Sequence, residues 1–355
     1  MLKLITILCV YLFTILTIQI ILFHRSMRNL VASKVTYVDE VKALYSHEKY
    51  DYFQNVYPSS FLYNVNYGKL YTTQPFALSV EILDLVLDQI LGLYNKNCKS
   101  NSKVVIMIIS HPRNFLLRQD IRRSYGKNRV NFNYEFAEND PNISHCTFFS
   151  IGYLDDTQLN EQVDLETHIY EDIIRVPLLE DYRRTAHKII LTYFLLNMLT
   201  NTFDFILKTD DDIFLKINQI IPYLSRLKQT DVFIGHKIYF AFAIRDKTNK
   251  WHLSYEEHPD RWLGVYLMGS CYVIRRSIIQ NLVMLHNHSR MMGMEDVYIS
   301  NLVKKMGFQI TNSPHLYHCN RYFGCKNSYI IDMGLNPITR QYVINSYHDY
   351  IVYRM

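Results

Sequence analysis

An apolar strand that runs directly into three aspartates is the feature that most constrains the fold of this chain. Residues 205–207 form an apolar run of strand type, and Asp210, Asp211 and Asp212 follow it. Ligands of open α/β sheets bind outside the carboxyl ends of the strands, and carboxylate oxygens are ligands that Mg²⁺ and Mn²⁺ prefer. The stretch therefore predicts a cation and diphosphate site. An acidic turn that caps the next helix is the alternative, because aspartate is a good N-cap residue.

Strand and helix patterns alternate around this stretch. Residues 104–109 are a continuous aliphatic run, as in a parallel strand that is buried on both faces. Apolar residues at helical spacing predict helices at 83–90, 189–196 and 299–306, and Gly307 closes the last one. This alternation predicts an α/β domain with a mostly parallel sheet.

Composition excludes two classes of protein. The 355 residues are 49% apolar and 20% charged, which excludes a disordered chain. The net charge of +5 is spread without long Lys/Arg blocks, so nucleic acid is not an expected partner. The length suits one large catalytic domain with extra segments, or two small domains.

The N-terminal region contains an uncharged run that is long enough to cross a membrane. Residues 4–23 carry no charge, and a helix of this length spans a hydrocarbon layer of roughly 30 Å. We therefore predict a cytoplasmic tail and transmembrane anchor at 1–24, a stem at 25–100 and a catalytic domain at 101–355. A cleaved signal peptide is the alternative, although its apolar core would be shorter.

Charges, cysteines and sequons bear on the orientation of the anchored chain. Arg25, Arg28 and Lys34 follow the apolar run, and the positive-inside rule would place the main body in the cytoplasm. The cysteines beyond the run lack the paired spacing of a zinc site, and some can pair in an oxidising compartment, with one left over. Acceptor sequons at Asn142 and Asn287 permit a luminal body.

A second acidic site lies at Glu295 and Asp296, just before the helix predicted at 299–306. The helix dipole favours a carboxylate at a helix N-terminus, which keeps it ionised and able to act as a base. A simple helix cap is the alternative. Gly269 interrupts an apolar run, and a glycine inside a strand often marks the close approach of a ligand or of another backbone. A packing glycine is the equal alternative.

The order of these segments resembles the β-1,3-glycosyltransferases of the galactosyltransferase and N-acetylglucosaminyltransferase group, glycosyltransferase family 31. The resemblance covers residues 101–340, and several motifs in the family's order are far more specific than one motif. The motifs are Ser110, Arg118, Ile121, Arg122, Tyr125 and Gly126; Asp172, Ile173 and Ile174 with Asp181, Tyr182 and Lys188; residues 208–212; Lys250, Trp251, Ser254, Glu256, Glu257 and Pro259; Gly269 with Tyr272; and residues 295–298.

The resemblance implies a GT-A type nucleotide-sugar-binding domain with a mixed, mostly parallel sheet. It implies inverting transfer of galactose or N-acetylhexosamine from a UDP-sugar to a glycan acceptor on a glycoprotein or glycolipid, in β-1,3 linkage and with Mn²⁺. The implied site residues are Asp296 as catalytic base, Asp210 and Asp212 as metal ligands, and Arg118, Arg122, Asp210 and Asp211 on the nucleotide side. It also implies a single-pass type II protein of the Golgi membrane, and we adopt its luminal catalytic domain over the orientation that the flanking charges favour.

Two positions depart from the family pattern. Gly264 stands where the family usually has a proline, and Met333 stands where it has a metal-binding histidine. A thioether is a poor ligand for a hard cation, and His315, His318 or His348 could replace it. A catalytically weak relative that binds glycans or acts as a chaperone is therefore the alternative function. A metal-dependent phosphohydrolase that uses the aspartates alone would leave the other motifs unexplained.

Overall fold

The computed structural model of the chain describes residues 80–98, 102–126, 144–199, 203–319 and 327–332. The membrane anchor predicted at 1–24 and most of the predicted stem lie outside these residues. Within the described ranges, no helix is both long enough and apolar enough to cross a membrane.

A seven-stranded sheet with the order β3-β2-β1-β4-β7-β6-β8 forms the centre of the domain. Its strands are β1 (Ser102–Ile109), β2 (Ser144–Tyr153), β3 (Ile173–Leu179), β4 (Phe205–Asp210), β6 (Phe233–Ile238), β7 (Tyr266–Arg275) and β8 (Thr311–Asn312). Strand β1 pairs in parallel with β2 and β4, β2 with β3, and β6 with β8. Strand β7 runs antiparallel to both β4 and β6. The predicted α/β architecture with a mixed, mostly parallel sheet is confirmed.

Aliphatic sequence explains why β1 and β4 lie in the middle of the sheet. The side chains of Val104, Val105 and Ile106 are buried, although they point alternately to opposite faces of β1. In β4, Ile206 and Leu207 are buried in the same way. A strand that is apolar on both faces is stable when helices cover both sides of its sheet. Both runs that were predicted as buried strands are confirmed.

Helices cover the two faces of the sheet. Within the described ranges they are α1 (Val80–Asn97), α2 (Phe115–Arg123), α3 (Thr157–Tyr170), α4 (Thr185–Leu199), α5 (Ile217–Ser225), α6 (Ile279–Asn287) and α7 (Glu295–Lys305). Helix α4 is buried around most of its circumference, as shown by Ile189, Tyr193 and Leu196. The turn after α7 contains Gly307 with a left-handed φ of 85°. The predicted helices at 189–196 and 299–306 are confirmed.

Helix α1 belongs to the core of the catalytic domain, whereas the sequence assigned it to the stem. It buries Leu87 and Ile90, and it packs against α4 and β3. Cys98 directly follows α1, and a disulfide joins it to Cys146 of β2. The predicted amphipathic helix is confirmed, but the packed domain begins earlier than the predicted boundary at residue 101.

A smaller sheet with the strand order β5-β10-β9 follows the three aspartates. Its strands are β5 (Ile213–Leu215), β9 (His318–Cys319) and β10 (Ile330–Asp332). Strand β10 pairs antiparallel with β5 and parallel with β9. Cys319 is disulfide-bonded, and Cys271 is the free, buried cysteine among those that the structure describes.

Candidate active site

The ends of β1 and β4 bring two segments together at one edge of the sheet. Ile109 lies opposite Asp210 in the register of these parallel strands. The strand order changes direction here, because β2 lies on one side of β1 and β4 on the other. Open α/β sheets bind their ligands at such switch points. The loop at 110–114 and the acidic turn at 210–212 therefore meet where a ligand is expected.

The three aspartates form a turn between β4 and β5, and they do not cap a helix. The next helix, α5, begins only at Ile217. Asp211 is buried, and its carboxylate accepts a hydrogen bond from Asn114 Nδ2 at 3.0 Å. Burial raises the pKa of Asp211, although hydrogen bonds from Ser110 and Asn114 oppose this rise. Asp211 therefore attaches the turn to the loop after β1, whereas the Asp210 side chain is 40% exposed.

Asp210 and Asp212 fit a divalent cation that is shared with a diphosphate. In the part of the chain that the structure describes, no three His, Cys, Asp or Glu side chains form a complete metal cage. Ions such as Mg²⁺ are usually held by one or two carboxylates, and phosphate and water take the remaining positions. Two partly exposed carboxylates at the edge of the sheet are therefore a suitable donor set.

The histidines that could replace the family's metal ligand have different surroundings. The ring of His315 stacks on Tyr329 with 4.4 Å between ring centroids, and its Nδ1 lies 3.2 Å from the carbonyl oxygen of Asn327. His318 lies on β9, which β10 separates from β5. Met333 and His348 lie outside the described residues. His315 is thus held in an aromatic cluster, and His318 lies two strands away from β5 in the smaller sheet.

Lys208 connects the acidic turn to the acids of α7. Its side chain is buried, and Nζ donates to Asp210 Oδ1 at 2.7 Å, to the Gly269 carbonyl at 2.6 Å and to Glu295 Oε1 at 3.0 Å. Burial lowers the pKa of Lys208, but the two carboxylates outweigh burial and raise it above its ordinary value. The lysine therefore stays charged and joins the two acidic sites that are distant in the sequence.

Glu295 and Asp296 lie in the first turn of α7, inside the helix rather than at its N-cap, which is Met294. Tyr272 Oη donates to Glu295 Oε2 at 3.2 Å, and the Val297 N–H donates to Asp296 Oδ1 at 2.8 Å. Burial raises the pKa of Glu295 to about 7 against the opposing effect of Lys208. Burial also raises the pKa of Asp296, although hydrogen bonds to its carboxylate oppose the rise.

Gly269 allows β7 to approach these acids. A Cβ atom at this position would lie 3.0 Å from Glu295 Oε1 and 3.3 Å from Asp296 Oδ2. Side chains rarely approach a Cβ atom so closely, so a larger residue would displace the Glu295 and Asp296 side chains by a few tenths of an ångström. The neighbours of this glycine are side chains of the acid pair, as expected of a packing glycine, whereas the approach of a ligand stays a prediction.

A family profile described as Galactosyltransferase matches residues 117–314, more than half of the chain. The match contains the acidic turn, Lys208 and both acids of α7. The chain belongs to the galactosyltransferase family. It is a glycosyltransferase, and the family resemblance that its motifs showed is confirmed.

Two similar relatives carry names that agree with this family. UDP-GalNAc:beta-1,3-N-acetylgalactosaminyltransferase 1 of Homo sapiens is 28% identical over 235 residues, which cover 64% of this chain and 68% of that protein. Beta-1,3-galactosyltransferase 1 of Mus musculus is 26% identical over 216 residues, which cover 60% of this chain and 63% of that protein.

Two solved structures of glycosyltransferases are more distant. Mouse xyloside xylosyltransferase 1 has a TM-score of 0.29 at 11% identity, and the match covers 66% of this chain and 98% of that one. The WbbM bifunctional glycosyltransferase has a TM-score of 0.35 at 11% identity, and the match covers 66% of this chain and 46% of that one. The description of the fold therefore rests on the strand order of this galactosyltransferase-family chain itself.

Arg118 and Arg122 of this family member, predicted on the nucleotide side, are bound to protein oxygens in the structure. Arg118 has no exposed surface, and its guanidinium donates to Glu166 at 2.9 and 2.6 Å and to Ser110 Oγ at 2.9 Å. Arg122 is also buried and pairs with both Asp172 oxygens and with Glu166, each at 2.7 Å. Both guanidinium groups are thus occupied by protein oxygens. Arg118 holds the loop after β1 in place, and Arg122 joins α2 to Glu166 of α3 and to Asp172 before β3. Their predicted place on the nucleotide side stays a prediction.

Two site residues escaped the sequence analysis as individual functional residues. Lys208 was part of a motif, but it received no role of its own. Its spacing was a signal, because residues two apart on a strand share a face and Lys208 precedes Asp210 by two. Asn114 had no signal, because only the parallel register brings it against Asp211. A basic residue two positions before a catalytic carboxylate on a strand is a signal that could have been used.

Proposed function

We propose that this glycosyltransferase has a GT-A type fold and transfers galactose or N-acetylhexosamine from a UDP-sugar to a glycan hydroxyl. We propose β-1,3 linkage and inversion at the anomeric carbon. The observation that carries the proposal is that the buried Lys208 joins Asp210, on the donor side, to Glu295, the neighbour of Asp296 on α7. The names of the two relatives, a UDP-GalNAc-dependent β-1,3 enzyme and a β-1,3-galactosyltransferase, support the donor class and the linkage.

Asp296 is the base in this proposal. Its carboxylate accepts the proton of the acceptor hydroxyl, whose oxygen forms a bond to the anomeric carbon while the bond from that carbon to the diphosphate oxygen breaks. The electron pair of the broken bond leaves with UDP. Inversion follows because the acceptor oxygen attacks from the face opposite the diphosphate. The raised pKa of Asp296 makes its carboxylate a stronger base than an ordinary aspartate.

Asp210 and Asp212 would hold Mn²⁺ at the donor side. When bound, the ion would neutralise the charge on the leaving diphosphate. Asp211 keeps the turn attached to the loop after β1 through Asn114. Lys208 carries a positive charge next to Asp210, and its ion pair at 2.7 Å holds one oxygen of that carboxylate in place.

We propose a Golgi membrane location with a luminal catalytic domain and a type II anchor. The Cys98–Cys146 disulfide supports an oxidising compartment, since cytosolic proteins seldom keep such bonds. The sequon at Asn287 is exposed at the end of α6, where a glycan could be attached. Glycosidase treatment should lower the apparent mass, and protease should spare the body in intact vesicles. Complete digestion of the body in sealed vesicles would contradict this placement.

UDP release tests the proposed reaction. The full-length chain is mixed with Mn²⁺, one of UDP-galactose, UDP-N-acetylgalactosamine or UDP-N-acetylglucosamine, and a panel of p-nitrophenyl glycosides as acceptors. We expect UDP release that depends on both acceptor and donor, and NMR of the product should show a β linkage at the 3-hydroxyl. A folded chain that releases no UDP with any donor would overturn the proposal, and an α linkage would overturn inversion.

A further inference from the structure

Arg183 and Glu257 form an ion pair beside the acid pair of α7. The Arg183 Nη2 atom donates to both carboxylate oxygens of Glu257, at 2.7 and 2.8 Å, and Nη1 donates to the His252 carbonyl at 2.7 Å. Glu257 also accepts the backbone N–H groups of Ser254 at 2.9 Å and Gly293 at 3.0 Å. One carboxylate and one guanidinium thus make five hydrogen bonds, most of them between groups far apart in the sequence.

This ion pair joins three segments of the chain at one point. Arg183 lies in the 3-10 turn Tyr182–Arg184 before α4, Glu257 lies in the long loop between β6 and β7, and Gly293 lies two residues before Glu295. A Cβ atom at Gly293 would be 2.6 Å from the Arg183 guanidinium carbon. The backbone before α7 therefore packs directly on the guanidinium, so the loop and the acid pair have a fixed relation.

Two exposed aromatic side chains lie next to the ion pair. Tyr182 is 53% exposed and Trp251 is 45% exposed, although each adjoins a residue that the ion pair holds. Lys250 Nζ lies 4.7 Å from the Trp251 ring centroid and 5.9 Å from that of Tyr182. Burial raises the pKa of Tyr182, a hydrogen bond with Trp251 lowers it, and the charge on Asp296 raises it again. Tyr182 therefore lies close enough to the proposed base to feel its charge, and the hydrogen bond places Trp251 next to Tyr182.

We propose that Arg183 and Glu257 are positioning residues for the acceptor saccharide. They hold the faces of Trp251 and Tyr182 beside Asp296, where an acceptor sugar ring stacks by its C–H face on the indole. Aromatic rings suit this ligand because they offer a large apolar face with a polar edge. The inference rests on the proposed transfer reaction, and it adds how the acceptor is aligned with the base.

The chain provides its own spectroscopic probe for this alignment. It has 2 tryptophans, Trp251 and Trp262, and both belong to the loop between β6 and β7. Trp262→Phe leaves Trp251 as the single indole of the full-length chain. The fluorescence of Trp251 can then be followed while methyl glycosides of galactose and N-acetylglucosamine are added, in the absence of any donor. We expect saturable quenching by the methyl glycoside of the sugar that serves as acceptor in the kinetic assay.

Arg183→Met and Glu257→Gln remove the ion pair, and Arg184→Met is the matched control. Arg184 is the neighbouring residue and is equally exposed at 40%, but it pairs with Asp181 at 3.7 Å. We expect the acceptor KM to rise about ten-fold or more in the first two variants, because misplacement by about 1 Å is enough for such a loss. The donor KM should change by less than about two-fold. The double variant should be no worse than the worse single one, since both break the same pair.

The results separate this inference from the proposed reaction. The positioning role would be overturned if Arg183→Met had the same acceptor KM and the same Trp251 quenching as the control Arg184→Met. An equal rise in the donor KM and the acceptor KM would also overturn it. If Arg183→Met does not fold, Glu257→Gln gives the same readouts, because glutamine keeps the size and one acceptor oxygen. A wild-type chain that releases no UDP would overturn the reaction, whereas loss of Trp251 quenching in Arg183→Met alone would still support the acceptor site.

Discussion

Replacement of Asp296 by asparagine tests the role of the acid pair most directly. Asparagine keeps the size of the side chain, and its Oδ1 can still accept the Val297 N–H that Asp296 accepts at 2.8 Å. It cannot accept a proton from an acceptor hydroxyl. We expect kcat to fall by about 10²-fold or more, which is the usual scale for the loss of a general base.

The same substitution should leave the stability of the fold almost unchanged. Burial raises the pKa of Asp296, so its ionised form is less stable in the folded chain than in the unfolded chain. Asparagine removes that charge and retains the backbone hydrogen bond. We therefore expect the free energy of unfolding to change by less than about 1 kcal/mol or to rise slightly.

The assay compares substitutions of the two acids of α7. Rates of UDP release give kcat and KM, and urea unfolding gives stability, for the full-length wild type, Asp296→Asn and Glu295→Gln. Glu295→Gln is the matched control, because Glu295 bonds to Lys208 and Tyr272 and has no proton-transfer role in the proposal. Wild-type kcat in Asp296→Asn, or a larger loss of kcat in Glu295→Gln, would refute the assignment of Asp296 as base.

Three further predictions concern buried interactions. Lys208→Met leaves two carboxylates without their cation and should lower the free energy of unfolding by about 3–5 kcal/mol; a urea midpoint equal to that of the wild type would contradict this. Burial lowers the pKa of His187 to about 4 and that of His286 to about 3, from 6.5, so the unfolded chain binds more protons in this range. The stability that the two neutral histidines contribute is therefore fully present above pH 6.5 and is lost as the pH falls toward about 4. The Tm of thermal unfolding should fall across this pH range, and a constant Tm would show that the pair does not contribute. Cys98→Ser breaks a disulfide to Cys146 across 48 residues and should cost about 4 kcal/mol; unchanged stability under oxidising conditions would refute that value.

Local patterns were sufficient for the strand that leads into the acidic turn. Aliphatic runs identify β1 and β4 because buried parallel strands need apolar side chains on both faces. The acids of α7 were predictable for a similar reason, since helical spacing after Glu295 defines the helix and places that residue at its start. In each case, the residues that determine the element are neighbours in the sequence.

The ion pairs behind the site were not predictable in this way. Glu166 is 48 residues from Arg118 and belongs to no motif, so only the packing of α3 against α2 reveals the pair. A family motif identified Arg118 as important, but it did not say whether the guanidinium faces a ligand or a buried carboxylate. Long-range pairing of charges depends on tertiary structure, and a single sequence does not determine it.

The position of α1 decides how the chain can be shortened. A fragment that starts at residue 101 would lack the buried side chains of Leu87 and Ile90, and it would leave an apolar groove open on α4. Cys146 would become a reactive thiol in place of a disulfide. An uncovered apolar groove favours aggregation, so a secreted, soluble fragment has to start before Val80. Its yield would depend on residues that precede every catalytic motif.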